Sequence, residues 1–436
     1  MQETTLWRLV LGVEKTTIVE EVEYDPVEEI VIAYVRPSGK LKPRCGRCAA
    51  RAPRYDGGEG RRRWRGLDLG TIPVWLEADA PRVSCRKHGV VVALVAWARH
   101  GVGHTRFFDQ QVAWLATVSS KTAVCELMRI AWRTVGAIIS RVWEDTAGSV
   151  DLFGGLRRIG IDEISYKRGH KYLTVVVCHD TGRLVWAAPG RDKDTLRAFF
   201  DALEASGVGR CAQITHVSAD GAEWIGDVVA EKCPQAVRCA DPFHVVKWAT
   251  DALDEVRRQA WNDARTAARA EPKRGRGRPA KDACARPATH TARNLKNSRY
   301  ALWKNPEDLT EKQTEKLAWI AKTDPRLHRA YLLKEGLRTV FTLPHEQAGE
   351  ALDRWISWAR RCRIPAFVKL QRSIVKHRER ILAAIWHGLS NGLIESMNTK
   401  IRLITRVAFG FRSPHALIAL AMLTLGGHRP TLPGRT

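Results

Sequence analysis

Apolar positions between residues 156 and 245 alternate between two periods. Residues 156–165 (LRRIGIDEIS), 171–178 (KYLTVVVC) and 183–188 (RLVWAA) are short β-branched runs. They predict three successive strands, the last two joined by the turn signal His179-Asp180-Thr181-Gly182. Residues 194–205 then place Leu196, Phe199, Phe200 and Leu203 on one helical face. Residues 214–219 (ITHVSA) read as a fourth strand ending at Asp220-Gly221, and 222–230 as a helix. Residues 237–239 read as a fifth strand, and a helix starts at Asp241-Pro242-Phe243-His244. The predicted order is β-β-β-α-β-α-β-α.

The flanks carry a different pattern. Residues 71–78 (TIPVWLEA) predict a strand. Residues 107–142 predict helices, with Phe108, Val112 and Leu115 on one face. A short helix over 121–128, the turn Arg129-Ile130-Ala131 and a third helix over 132–142 give the spacing of a helix-turn-helix. Its recognition helix would present Arg133, Thr134 and Arg141. Residues 251–380 read as mostly helical. Asn391 is placed to cap a last amphipathic helix running through Ile404, with Leu393, Met397, Ile401 and Ile404 as its apolar stripe. Glu395 falls off that stripe, near Asn398 and Arg402 at helical spacing. The longest strongly apolar stretch, 416–425, is ten residues. A bilayer span takes about 20, so no membrane span is expected.

Composition narrows the partner. Over 436 residues, 71 Lys and Arg face 47 Asp and Glu, a net charge of +24. Such a chain collects polyanions, and it is a poor fit to an enzyme of small neutral metabolites. The charge is uneven. Residues 1–150 carry net +5, 151–250 are neutral, and 251–436 carry net +19. Residues 1–11 lack an apolar signal core, so a cytoplasmic location is expected. The ten Cys are mostly single, as in a reduced compartment, except where spacing points to metal.

That spacing is Cys45-Gly-Arg-Cys48 followed 37 residues later by Cys85-Arg-Lys-His88. Two such pairs suit a tetrahedral zinc ribbon, with His100 or His104 as alternatives to His88 for the fourth ligand. Between the pairs, Arg61-Arg62-Arg63-Trp64-Arg65 offers cations around an aromatic, a surface for DNA. The run Lys273-Arg274-Gly275-Arg276-Gly277-Arg278-Pro279 reads either as a solvated basic loop or as a minor-groove insert that would set Arg276 and Arg278 on DNA. In the middle block, Asp162 follows Ile159-Gly160-Ile161 and Asp220 follows Val217-Ser218-Ala219. Strand ends are where sites form in open α/β sheets. Two facing carboxylates repel unless a divalent cation lies between them. Mg2+ is the expected cation, because it takes one or two carboxylates plus water and phosphate.

The element order is that of an RNase H-like fold, and the motifs add a resemblance. Gly160-Ile161-Asp162-Glu163, Ser218-Ala219-Asp220-Gly221, Asp241-Pro242-Phe243-His244-Val245 and Ser390-Asn391-Gly392-Leu393-Ile394-Glu395-Ser396-Met397-Asn398 stand in that order. So do Tyr300-Ala301-Leu302-Trp303-Lys304-Asn305-Pro306 and Ala408-Phe409-Gly410-Phe411-Arg412. Together they resemble the ISL-three family of bacterial insertion-sequence transposases over nearly the whole chain. The resemblance implies a catalytic triad of Asp162, Asp220 and Glu395 holding two Mg2+ (or Mn2+) ions for a two-metal phosphoryl transfer, with Asp241 and His244 in support. It implies a multidomain chain: a zinc-ribbon-like domain (1–105), a helix-turn-helix (106–150), and an RNase H-like α/β core (151–255 and 381–436) interrupted by an all-α basic insertion (256–380). Arg61, Arg62, Arg63, Arg65, Arg133, Arg141, Arg276, Arg278 and Arg402 are the expected DNA contacts. The implied partners are the element's terminal inverted repeats, target DNA and a second copy of the chain. The implied chemistry is 3′-end cleavage and strand transfer. A rival reading is a transposase-derived DNA-binding regulator without catalysis. Relatives often show four Cys where this chain has His88.

Overall fold

The computed structural model describes residues 3–220, 222–271 and 287–435. Gly221 and the basic run with Arg276 and Arg278 lie outside the described residues. The chain forms two compact units, Met1–Leu152 with Lys400–Thr436, and Phe153–Thr399. Of the segment 381–436 expected in one core, residues through Thr399 thus fall in the second unit and the rest in the first.

The first unit opens with helix α1 (Glu3–Val10) and strands β1 (Thr17–Asp25), β2 (Ile30–Pro37), β3 (Arg54–Asp56), β4 (Arg61–Arg65), β5 (Val74–Asp79), β6 (Arg82–Cys85) and β7 (Gly89–Val92). One sheet has the order β1-β2-β5-β4, and a smaller antiparallel one the order β3-β6-β7. Alternation explains the larger sheet: Val74, Leu76 and Ala78 face the core while Trp75 and Glu77 do not. Trp64 and Trp97 meet edge to face there, centroids 5.6 Å apart. Helices α2 (Arg106–Val118), α3 (Lys121–Met128) and α4 (Trp132–Ala147) follow. Thr105 caps α2 through Phe108 N–H, and Ser120 caps α3 through Ala123 N–H. Between α3 and α4, Arg129 takes the left-handed conformation (φ 53°) that ends α3. Its guanidinium reaches the Thr71 carbonyl at 2.8 Å and Asp68 at 3.4 Å, which fixes the turn.

The second unit begins with β8 (Arg158–Lys167), β9 (Lys171–Cys178), β10 (Leu184–Pro189), α5 (Lys193–Ala205), β11 (His216–Ala219), α6 (Glu223–Lys232) and β12 (Val237–Ala240). The sheet order is β10-β9-β8-β11-β12. The three N-terminal strands pair antiparallel, and β11 pairs parallel with both β8 and β12. Val175, Val176 and Val177 are fully buried, so the central strands are covered on both faces. Asp241 caps the 29-residue helix α7 (Pro242–Ala270), with Pro242 in its first turn. Helices α8 (Pro287–Lys296), α9 (Arg299–Trp303), α10 (Glu311–Thr323), α11 (Pro325–Val340), α12 (His345–Arg361), α13 (Pro365–Lys376) and α14 (Arg378–His387) follow. They share one apolar cluster with α7 that includes Leu253, Leu327, Leu337, Trp355 and Phe367.

Helix α15 (Gly392–Val407) starts in the second unit, and α16 (Pro414–Leu425) packs on α4 and α2 in the first. The apolar run read in the sequence is therefore a core helix of that unit. No helix among the described residues is long and apolar enough to cross a membrane.

Candidate functional site

Register brings the middle-block acids together. Ile161 pairs with Ala219, and Ala219 with Ala240, across three neighbouring strands. Asp162 lies midway along β8, and Asp220 and Asp241 directly follow the ends of β11 and β12, so the three acids stand on neighbouring strands. Asp241 is 2% exposed and accepts three bonds: from Phe243 N–H (3.2 Å), from Asn391 N–H (3.2 Å) and from His244 Nδ1 (2.5 Å). This orients the imidazole so that Nε2 faces Asp220 Oδ1 at 3.5 Å. The bond from Asp241 holds the His244 pKa above its usual value, with burial opposing and the Asp220 charge adding.

Asp162 is half-buried within β8, where it pairs with Val175 of β9. Its Oδ1 accepts from Glu163 N–H at 2.7 Å and its Oδ2 from the Asn398 amide at 2.7 Å. Burial pushes its carboxyl above the ordinary range, and the Asp220 charge adds to that. The Glu163 N–H, His244 and Asn398 pull the other way. Asn398 itself is 3% exposed. It lies on α15 three residues after Glu395, so the helix carrying Glu395 is tied to Asp162 across 236 residues of chain. Glu395 is exposed in the first turn of α15.

Gly160 makes that approach possible. A Cβ there would lie 2.2 Å from Ile394 Cδ1 and 3.0 Å from His179 Nε2. Ile394 is fully buried, so it has little room to yield. Gly160→Ala is expected to destabilise the unit by about 1–3 kcal/mol through overpacking. Ile394→Val in the same chain should recover part of it. Urea unfolding of the single and double variants checks this, and equal midpoints for Gly160→Ala and wild type would contradict it.

The cysteines form a second cluster. Cys85 ends β6 and Gly89 starts β7, so the hairpin between them presents Cys85 and His88. Gly46 sits where a Cβ would be 2.6 Å from the Val92 carbonyl, so only glycine brings the Cys45–Cys48 turn this close. Cys48 Sγ is 3.8 Å from Cys85 Sγ, and His88 Nδ1 is 3.5 Å from Cys45 Sγ and 3.7 Å from Cys85 Sγ. A tetrahedron with Zn–S bonds of about 2.3 Å and a Zn–N bond of about 2.0 Å has edges of roughly 3.5–3.8 Å. The donor set fits zinc without rearrangement. It is the one group among the described residues whose ligand atoms all lie within 4.8 Å, so Asp162, Asp220 and Glu395 are not gathered as closely. His88 is the fourth member. His104 instead stacks on Phe108, and His100 packs against Gly46.

Two expected DNA contacts are corrected. Arg65 is 6% exposed, and its guanidinium is held by the Gly66 and Val74 carbonyls and by Asp68. Arg141 binds Asp109 at 3.3 Å; that fully buried carboxylate is also bound by Arg99 at 2.7 Å. Burying Asp109 requires such cations, which is why Arg99 and Arg141 turn toward it, Arg141 with 24% of its side chain still exposed. Arg61, Arg62, Arg63, Arg133 and Arg402 are exposed, although Arg61 and Arg63 pair with Glu77 at 3.6 and 2.8 Å. Asn391 supplies the first carbonyl of α15, to Glu395 N–H, but not the side-chain cap expected of it. Both polar atoms of its buried side chain lack a hydrogen-bond partner. The residue that sequence reasoning left without a role is Asn398. Its signals are its spacing from Glu395 and its place at the end of the Ser390–Asn398 motif.

A cysteine–histidine ribbon, a helix-turn-helix and a mixed α/β unit with acids on adjacent strands are the features of a DNA-binding transposase. A family model described as transposase, of the ISL3 DDE type, matches residues 159–421. The helix-turn-helix domain of transposase family ISL3 matches 94–143, and the zinc-finger of transposase IS204/IS1001/IS1096/IS1165 matches 42–88. The chain belongs to the ISL3 family of insertion-sequence transposases. It is 66% identical over 439 residues to the transposase for insertion sequence element IS1557 of Mycobacterium tuberculosis, covering 100% of this chain and 98% of that one. It is 27% identical over 399 residues to the transposase for insertion sequence element IS1001 of Bordetella parapertussis, covering 90% and 91%. A solved structure, the Drosophila P element transposase strand transfer complex, is similar at 10% identity and a TM-score of 0.36, over 75% of this chain and 93% of that one. That likeness is too distant to bear on the fold.

Proposed function

We propose that this chain cuts and joins DNA at the terminal inverted repeats of its own element, using Asp162, Asp220 and Glu395 as one catalytic set on an RNase H-like core. The helices α7–α14 then serve as the insertion before the last carboxylate. The observation that carries this is the 2.7 Å bond from Asn398 to Asp162, which supports Glu395, Asp162 and Asp220 acting at one place.

The two aspartates suit a divalent cation between them. Asp162 is a buried carboxyl raised by its own burial and by Asp220, a conflict that a cation relieves. Asp162, Asp220 and Glu395 would hold Mg2+ or Mn2+. When bound, the metal supplies Lewis-acid stabilisation of charge on the attacking and leaving oxygens of an in-line phosphoryl transfer. The chain's own groups do the rest. Asn398 and the Glu163 N–H fix the plane of the Asp162 carboxylate. Asp241 fixes the His244 ring, whose Nε2 side faces Asp220 and the DNA approaching it. Water or a 3′-hydroxyl is the nucleophile, so no covalent protein–DNA bond is required. The zinc ribbon and helix-turn-helix read the ends through Arg61, Arg62, Arg63 and Arg133. The chemistry on paired ends calls for a homodimer or higher assembly.

The reading is tested with purified chain and DNA carrying both element ends. Mg2+-dependent 3′-hydroxyl ends are expected, and none in EDTA. DNA binding with no cutting in Mg2+ or Mn2+ would leave the regulator in its place. A finer expectation concerns Asn398. Groups that orient metal ligands typically contribute 10–100-fold to metal affinity or activity. Asn398→Ala should slow cleavage by about that factor and raise the Mg2+ concentration needed for half-maximal rate. A slowed reaction with an unchanged Mg2+ requirement would make Asn398 merely structural.

A further inference from the structure

Helices α11 and α12 carry a feature that the catalytic account does not use. On α12, Arg354, Trp358 and Arg361 recur at i, i+4 and i+7, so they share one face. Arg329 joins them from α11, its guanidinium 3.4 Å from the Cys362 carbonyl. With Ser357 and Cys362 these residues line an open hollow of about 410 Å³. No carboxylate is among the lining residues. The nearest acid contact is Glu350, 3.6 Å from Arg354, with both side chains exposed.

The tryptophan separates this hollow from an ordinary solvated basic face. Trp355, on the same helix, is 3% exposed and donates Nε1–H to the Leu333 carbonyl at 2.7 Å. Trp358 is 39% exposed. Its ring is seated on α11 at Gly336, where a Cβ would stand 3.1 Å from Cζ3. A glycine thus lets the indole lie against α11, while the hollow remains open beside it. Arg361 is braced as well, bound to the Ser357 hydroxyl and, at 3.3 Å, to the Ser357 carbonyl. The negative end of the α12 dipole favours Arg361, but it gives no reason for an exposed aromatic or for Arg329 and Arg354 around it.

We infer that this hollow binds an unpaired nucleotide of DNA, its base stacked on Trp358 and its phosphates on Arg329, Arg354 and Arg361. Guanidinium groups take phosphate oxygens in fork geometry. An exposed indole offers a stacking face that any base satisfies, whereas a base inside a duplex is already stacked. The aromatic therefore points to an unpaired position, which the arginines alone would not. The inference rests on the transposase reading for its substrate, DNA.

The test uses the full chain and two fluorescein-labelled DNAs of one sequence, a blunt duplex and the same duplex with a short single-stranded overhang. Wild type is expected to bind the overhang DNA more tightly. Trp358→Ala should lower that affinity about 5- to 100-fold, the range for losing one base-stacking aromatic, and leave the blunt duplex within twofold. Trp358→Phe should retain most of the preference. Arg354→Ala and Arg361→Ala should weaken both DNAs and reduce the salt slope by about one each. Wild type that binds the blunt duplex but gains nothing from the overhang overturns this site alone. Equal losses on both DNAs in Trp358→Ala also overturn it. Wild type that binds neither DNA overturns it together with the transposase reading.

Discussion

Asp162→Asn is expected to abolish Mg2+-dependent strand cleavage, by on the order of a thousandfold or more, while leaving affinity for the element ends unchanged. The size follows from removing a metal-binding carboxylate from a transition state that the metal stabilises by several kcal/mol. The variant should fold. Asn keeps the shape and one acceptor oxygen at a position whose carboxyl is raised by burial and by the charge of Asp220, so a buried charge is removed rather than created. A ligand that binds only the folded state stabilises it. Mg2+ should therefore raise the melting temperature of wild type and leave Asp162→Asn unmoved. Cleavage persisting in the variant would remove Asp162 from the site. Lost cleavage together with lost end binding would point to misfolding instead.

The second large effect is on zinc. Cys45→Ser, or chelation, should release about one zinc per chain and unfold the small β3-β6-β7 sheet. Cys45 is fully buried, and the core beside it is thin, with Ala52, Val83, Cys85 and Val91 as its buried members. So small a cluster cannot hold a sheet by apolar burial alone, and the metal supplies the difference. Structural zinc in finger peptides contributes about 10–16 kcal/mol at neutral pH. End binding should fall with it, because β4 with Arg61, Arg62 and Arg63 belongs to the same unit. Metal analysis finding no zinc in wild type, or Cys45→Ser binding ends normally, would contradict the ribbon's role.

Much of this was legible in the sequence where local pattern and chemistry coincide. The valines of β9 left no reading but a buried strand. Cys45, Cys48, Cys85 and His88 converge as their spacing predicts, and the hairpin at Gly89 decides His88 over His100 and His104. Long-range pairing was not legible. Arg65 and Arg141 look like surface cations in a basic chain. Only the fold reveals that Asp68 and the buried Asp109 require them. Gly160 read as part of a motif; its physical reason, the passage of Ile394, lies 234 residues away. The ten-residue apolar run is uniform around its helix, so its burial was legible but not the surface it covers, α2 and α4. Asn391 failed as a side-chain cap because its amide is buried where the sequence shows only a favourable residue type.

In the proposed site Asp162, Asp220 and Glu395 hold a pair of metal ions despite lying far apart in the chain. Replacing Mg2+ by Fe2+ and generating hydroxyl radicals cuts the backbone next to the bound ion, and mass spectrometry locates the cuts. Cuts near residues 162, 220 and 395, all suppressed by excess Mg2+ and all lost in Asp162→Asn, are the expected result. Cuts near residues 162 and 220 with none near 395, or a pattern unchanged in Asp162→Asn, would contradict it.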